Sequence, residues 1–406
     1  MKRQGPKLWC VCFALVLLLC CGCAPQVRFP VDEAAQALVP VSDIGELLDD
    51  LDLTSLNLAL DTSIRYYERI QGRGSFCFGG CCYQSREMID ALRLFRDIMN
   101  SGVALEKRTA LIGESFDFYQ AAGRDGKGEV LFTGYFEPVL HGSLQETDRF
   151  RYPLYRTPDD TVTIRLGLFH ERYGNQRLVG RLKGRDVVPY YSRKEIDTDR
   201  ILHGRGLEIA WVADPVDLFI LHVQGSGRIH LPDGGLLRVN YASANGRPYR
   251  GLTSYMVKQG YLAEHEKGYR KMKAYLQGHP ETRDEIMNYN ESYVFFRVME
   301  DGPLGALGLP VVAGRSIATD PAVFPKGALA FVKSRKPVMG ADGEVERWLP
   351  YKRFVLNQDT GGAIKGAGRL DLFCGAGAEA ERVAGSLVEP GHLYFLAPKR
   401  TRPSTR

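Results

Sequence analysis

The chain has 406 residues, 44% of them hydrophobic and 25% charged, and a formal net charge of only +5. That balance is typical of globular domains, and the length allows two of them. It excludes an intrinsically disordered chain. With no basic block and no aromatic–basic repeat, it also predicts no nucleic-acid partner.

The N-terminus reads MKRQGPKLWCVCFALVLLLCCGCAPQ. A basic start is followed by an apolar stretch, Leu8 to Leu19, which is shorter than the roughly 20 residues a membrane span needs. This is an export signal, over 1–22, and it is set aside from fold reasoning. Its end, LCCGC, resembles a bacterial lipobox, with Gly22 before the candidate acylated cysteine, Cys23. Cys20 departs from the usual residue three places upstream. The resemblance implies a membrane contact through lipidated Cys23, and Ala24 after it favours the periplasmic face of the outer membrane. Three acyl chains exceed the two lipid signals that stable anchoring requires.

Residues 23–50 read as a tether. Helical periodicity follows over Leu53–Ile70, Arg86–Asn100 and Leu105–Ala122, the second placing Met88, Leu92, Leu94, Phe95 and Met99 near one face. Between the first two lies CFGGCC. The periplasm is oxidising, so Cys77, Cys81 and Cys82 predict a disulfide or free thiols rather than zinc, for which no second ligand pair follows. From Glu129 the texture changes to short β-branched and aromatic runs between Gly, Pro, Asp and Asn turns, among them EVLFTGYFEPVLHGS and DLFILHVQGSGRIHLPDGG. One helical interruption is expected over Ser254–Leu276, weakening toward Asn288. The fold class is α+β, mostly β, with a helical N-terminal part. Residues 401–406 read as a disordered tail.

The stretch LNQDTGGAIKGAGRLDLFCG holds two carboxylates, Asp359 and Asp371. A single Asp-Thr-Gly is not the paired loop of an aspartic protease. GGAIKG has glycine where a phosphate loop needs Ser or Thr after its lysine. In RLDLF, Leu370 and Leu372 face one side of a strand, Asp371 and Phe373 the other. A carboxylate there is either a solvent-facing edge residue or a cleft residue held protonated, ready to act as a general acid. Asp359 has the look of a turn residue. Gln224, Gly225, Ser226 and Gly227 form an amide-and-glycine turn. Tyr241, Asn245 and Tyr249 surround an Asn-Gly turn. Tyr135 and Glu137 in GYFEP, and Ser292 and Phe296 in NESYVFFR, complete a set of flat rings and amides suited to sugars.

In order, LFTGYFEPVLHGS, YPLYRTPDD, VPYYSRKEID, EIAWVADPVDLFILHVQGSGRI, YASANGRPYRGL, ESYVFFR, GPLGALGLPVVAGRSIATDPAVFPKGALAF and NQDTGGAIKGAGRLDLFCG resemble the MltA family of lytic murein transglycosylases, from about Leu131 to the C-terminus. The resemblance implies a double-psi β-barrel whose strands flank an inserted second β-barrel-like domain. It divides the chain into a helical part leading into the barrel (51–138), the insert (139–290) and the barrel (291–400). It implies cleavage of the MurNAc–GlcNAc bond of peptidoglycan glycan strands without water. The muramyl 6-hydroxyl attacks C1 and leaves a 1,6-anhydro ring, with Asp371 as the single acid and base and Asp359 in support. It implies no metal or cofactor and names no protein partner. An intramolecular hydroxyl replaces the second carboxylate of ordinary glycosidases. Cys374 stands where the family usually has an aromatic residue, predicting an altered stacking subsite. Two other readings compete: a two-carboxylate hydrolase, and a glycan-binding lipoprotein without activity.

Overall fold

The computed structural model describes residues 34–174 and 176–400. The export signal, Cys23 and the 401–406 tail lie outside the described residues. No helix among the described residues is long and apolar enough to cross a membrane.

The described part of the expected tether is built into the body. Strand β1 (Leu38–Val41) pairs antiparallel with a later strand, and Ile44 and Leu47 are buried. Asp52 then caps the helix Leu53–Arg69 by accepting from the Ser55 amide at 2.8 Å. A hairpin of β2 (Ser75–Phe78) and β3 (Cys81–Gln84) places Cys77 opposite Cys82, and the two form a disulfide. Helix Ser85–Asn100 buries Met88, Leu92, Phe95 and Met99. Leu94, expected on that face, is 46% exposed, because only the 88, 92, 95, 99 spacing closes a stripe. The third helix stops at Ser115 rather than Ala122. The continuation, β4 (Phe116–Ala121), has strand partners on both sides, which outweigh its weak helical pattern.

Strand β5 (Val130–Glu137) enters the barrel, and one residue later β6 (Val139–Ser143) begins a second sheet. That sheet goes on through β7 (Tyr152–Tyr155). A small separate sheet follows: β8 (Thr161–Arg165), β9 (Arg177–Lys183) and β10 (Asp186–Pro189). The second sheet resumes with β11 (Glu208–Val212), β12 (Ser226–His230), β13 (Leu236–Ala244) and β14 (Val294–Met299). Its order is β14-β13-β12-β6-β11-β7, and a bridge from Arg156 to Phe296 brings its two edges together. Thus β14 lies in the second sheet, beyond the boundary at 291, because Phe296 fills that sheet's core. DLFILHVQ, expected as strand, is the helix Pro215–Gln224. Asp214 caps it, Pro215 opens it, and Gly225 closes it in the left-handed conformation. The later helical stretch is broken into Leu252–Lys258, Tyr269–Gly278 and Pro280–Asn288.

The chain returns to the barrel with β15 (Ser316–Ala318), β16 (Leu329–Met339), β17 (Val345–Asp359), β18 (Arg369–Ala376) and β19 (Val388–Pro398). The order β19-β16-β17-β15-β18-β5 closes through β5–β19 pairing, a six-stranded barrel without a free edge. Leu329, Ala330, Phe331 and Val332 are all buried, since helices cover the outside: Phe95 packs edge-on to Phe354 at 4.8 Å. The N-terminal segment is tied to the barrel by fully buried Arg315. It reaches Asp49 at 2.6 Å, the Ser55 hydroxyl, and the carbonyls of Asp52 and Phe354. Arg315→Met leaves the buried Asp49 carboxylate without its partner. It is expected to cost about 3–5 kcal/mol, read as a fall in the urea midpoint, with Asp49→Asn restoring part of the loss.

Candidate active site

The site is set by register around one short strand. In β15, Ala318 is opposite Asp371 of β18 on one side and opposite Asp359 of β17 on the other. Paired residues share a face, so both carboxylates emerge on the same side, their backbones two strand spacings or roughly 10 Å apart. Thr133 and Tyr135 of β5 join that face opposite Asp371 and Phe373. The other face is apolar: Phe132, Ile317, Leu370 and Leu372 are buried.

The two aspartates have different surroundings. Asp359 is saturated. The Tyr135 hydroxyl donates to it at 2.7 Å, and the amides of Ala306 and Thr360 donate at 2.9 and 2.8 Å. Burial raises its pKa while these donors pull it back. Gly305 admits the Ala306 loop this close, since a Cβ there would meet the Gln358 carbonyl at 2.7 Å. Asp371 has a buried oxygen, Oδ1, with no hydrogen-bond partner. The nearest cation, Arg369, stands 3.6 Å away, too far for a hydrogen bond. Burial pushes the Asp371 carboxyl up to about 6, against the pull of Arg369 and with a further push from Asp359. Such a group is protonated in mildly acidic solution and can give and take a proton near neutrality.

Across from the acid is the loop after β13. Tyr249, 43% exposed, feels the charges of both Arg369 and Asp371. Tyr241 is likewise exposed. Tyr249 and Tyr135 are the predicted substrate residues that the fold brings toward the carboxylates, whereas the charge that acts on Tyr241 is that of Arg177. Tyr135 also rests on Phe373, ring centroids 5.2 Å apart.

Other predicted site residues have structural roles. Asn245 is fully buried. Its amide donates to the Tyr191 and Glu291 carbonyls and its oxygen accepts from the Arg247 and Tyr293 amides. Phe296 is core. Glu137 is 1% exposed and paired with Arg228 at 2.7 Å. Gln224 accepts from the Phe136 amide at 3.0 Å, where the chain leaves the barrel. Gly225 caps a helix, Ser226 is buried, and Gly227 packs so closely that a Cβ would lie 2.4 Å from Leu221. The Ser292 carbonyl accepts from buried Arg193 at 2.6 Å. Cys374 packs on the cluster of Phe136, Ala380 and Ala384 rather than lining a stacking subsite. Sequence reasoning missed Arg369, Thr133 and Arg193. Arg369 was two residues from Asp371, so both side chains were bound to leave the strand on one face.

Residues 131–297 match the MltA specific insert domain, and residues 315–397 match the 3D domain. The membrane-bound lytic murein transglycosylase A of Vibrio cholerae is 30% identical over 282 residues, covering 68% of each chain. A membrane-bound lytic murein transglycosylase from Agrobacterium tumefaciens superposes with a TM-score of 0.72 at 28% identity, covering 89% of this chain and 98% of that one. MltA from Neisseria gonorrhoeae superposes with a TM-score of 0.67 at 28% identity, over 94% and 100%. The insert, the 3D domain and these relatives therefore define a lytic murein transglycosylase, an enzyme that cleaves peptidoglycan. The chain belongs to the membrane-bound lytic murein transglycosylase A family.

Burying Asp371 without a partner has a stability cost that depends on pH. Its folded pKa of about 6 exceeds the unfolded value of 3.8, so the folded state binds the proton more tightly. Native stability from this group is full below the unfolded value and is lost as pH rises through about 6. Asp371→Asn is therefore expected to be more stable than the parent by about 1–3 kcal/mol at pH near 7.5, with the gap closing near pH 4. Thermal melts at the two pH values check this.

Proposed function

We propose that Asp371 is the single acid and base of a non-hydrolytic cleavage of the MurNAc-β-1,4-GlcNAc bond. The observation that supports this most directly is its unpartnered, desolvated oxygen, near an Asp359 carboxylate that is already engaged. Protonated Asp371 gives its proton to the glycosidic oxygen as the C1–O bond breaks, and GlcNAc leaves. The resulting carboxylate takes the proton of the muramyl 6-hydroxyl while that oxygen bonds to C1. This yields the 1,6-anhydro ring and restores the acid. No water enters, and the tethered hydroxyl supplies the high effective concentration that a second catalytic group otherwise provides. Asp359 holds the Tyr135 ring and the Ala306 loop in place as a supporting residue. Tyr241 and Tyr249 offer rings to the glycan on the opposite wall. The chain acts at the periplasmic face of the outer membrane, anchored through acylated Cys23.

With purified sacculi, the wild type is expected to release muropeptides one water lighter than the reducing species. Asp371→Asn is expected to lower the rate by roughly 10²–10⁴-fold. Reducing products would instead establish a hydrolase. Binding without products from the wild type would establish a wall-binding protein. The role as acid also sets a pH limb: the initial rate should be flat at mildly acidic pH and fall as pH rises through about 6. A pH–rate profile on soluble glycan strands measures that limb directly.

A further inference from the structure

The small sheet β8–β9–β10 has two very different faces. Register puts Arg177, Val179 and Arg181 on one of them. This face is docked on the loop after β13 and on the segment that follows β10. A Cβ on Gly246 would lie 2.6 Å from that of Val179, and the Arg181 guanidinium stacks 4.2 Å from the centre of the Tyr191 ring. The opposite face carries Val162, Ile164, Leu178, Leu182 and Val187. None of these joins a buried cluster among the described residues. Leu178, Leu182 and Val187 are 55%, 62% and 43% exposed. At the β8–β9 end, Leu168 and Phe169 project with 83% and 74% of their surface exposed. An uncovered apolar face of this kind marks an interaction site.

Its charge surroundings indicate what covers it. Between residues 161 and 189 there are six Lys and Arg against two Asp and Glu. Exposed Arg172 stands at one end of β9, exposed Lys183 and Arg185 at the other. Apolar side chains between cationic ends match a bilayer boundary, where acyl chains meet anionic headgroups. A glycan strand has no large apolar surface to offer, and a second copy would bring the same positive charge against itself. We propose that this face docks on a lipid surface bearing anionic headgroups, with Leu168 and Phe169 entering the headgroup–acyl boundary. It would be a second membrane contact, and it does not depend on the reaction assigned to Asp371.

The test uses the full chain carrying Phe169→Trp, compared with its parent, which has three tryptophans. Both are bound to vesicles of phosphatidylethanolamine and phosphatidylglycerol, with or without brominated acyl chains. The emission added by the introduced indole should shift to the blue and fall roughly two-fold or more with brominated lipid. Leu178→Asp with Leu182→Asp should abolish that quenching and leave muropeptide release unchanged. Equal emission in brominated and plain vesicles overturns the proposal, even if the charged variant does not fold. So does a lipid-free dimer in sedimentation that shifts the indole emission by itself.

Discussion

A carboxyl with one oxygen kept from water and given no hydrogen-bond partner is the constraint on which this structure turns. Left ionised, Asp371 would be costly in its strand, and the protein relieves that cost by holding it protonated up to about pH 6. Its neighbours are arranged so as not to relieve it in another way. Arg369 stays beyond hydrogen-bonding distance, and the hydroxyl of Thr133, opposite Asp371, donates to the Leu370 carbonyl instead. Asp359 is near enough to push Asp371 upward but is itself occupied by three donors. One acid is thereby left poised, at some expense of stability.

The wall opposite the acid is held by a polar network inside the second sheet's domain. Arg193 is 2% exposed and bonds to the Asn290 and Ser292 carbonyls, to Asp197 and to His222. Asn290 in turn accepts from the Arg250 amide, next to Tyr249. Asn245 fastens the start of the same loop to Tyr191, Glu291 and Tyr293. Buried networks with their partners in place hold one geometry, and here they fix where an exposed ring stands relative to a carboxyl on another domain. The Asn245 amide that suggested a sugar contact in the sequence thus holds the loop that carries Tyr249.

The glycines of the Asp359–Asp371 stretch answer to packing. Gly366 adopts a positive φ of 70° while its amide is held by buried Asp320 at 2.8 Å. A Cβ on Gly368 would meet the Arg124 backbone at 2.7–2.8 Å. They close the connection from β17 to β18 tightly enough for both strands to flank β15.

Some of this was legible in the sequence alone. The alternation in RLDLF put Asp371 on the face away from Leu370 and Leu372, because strand periodicity is local. The β-rich texture after Glu129 and the first two helices followed from short-range patterning, and the caps of Pro215–Gln224 were present in DPVD and QG although the apolar run was read as strand. A fully apolar segment does not reveal its period. Tertiary structure decided the rest. Whether Asn245, Glu137 and Phe296 met solvent or core depended on partners far along the chain, as did the conversion of the expected tether into a strand by pairing with β4. The pairing of both aspartates with Ala318 required β15, β17 and β18 to assemble in one register. Burial, and with it the pKa of Asp371, is a property of that assembly rather than of any stretch of residues.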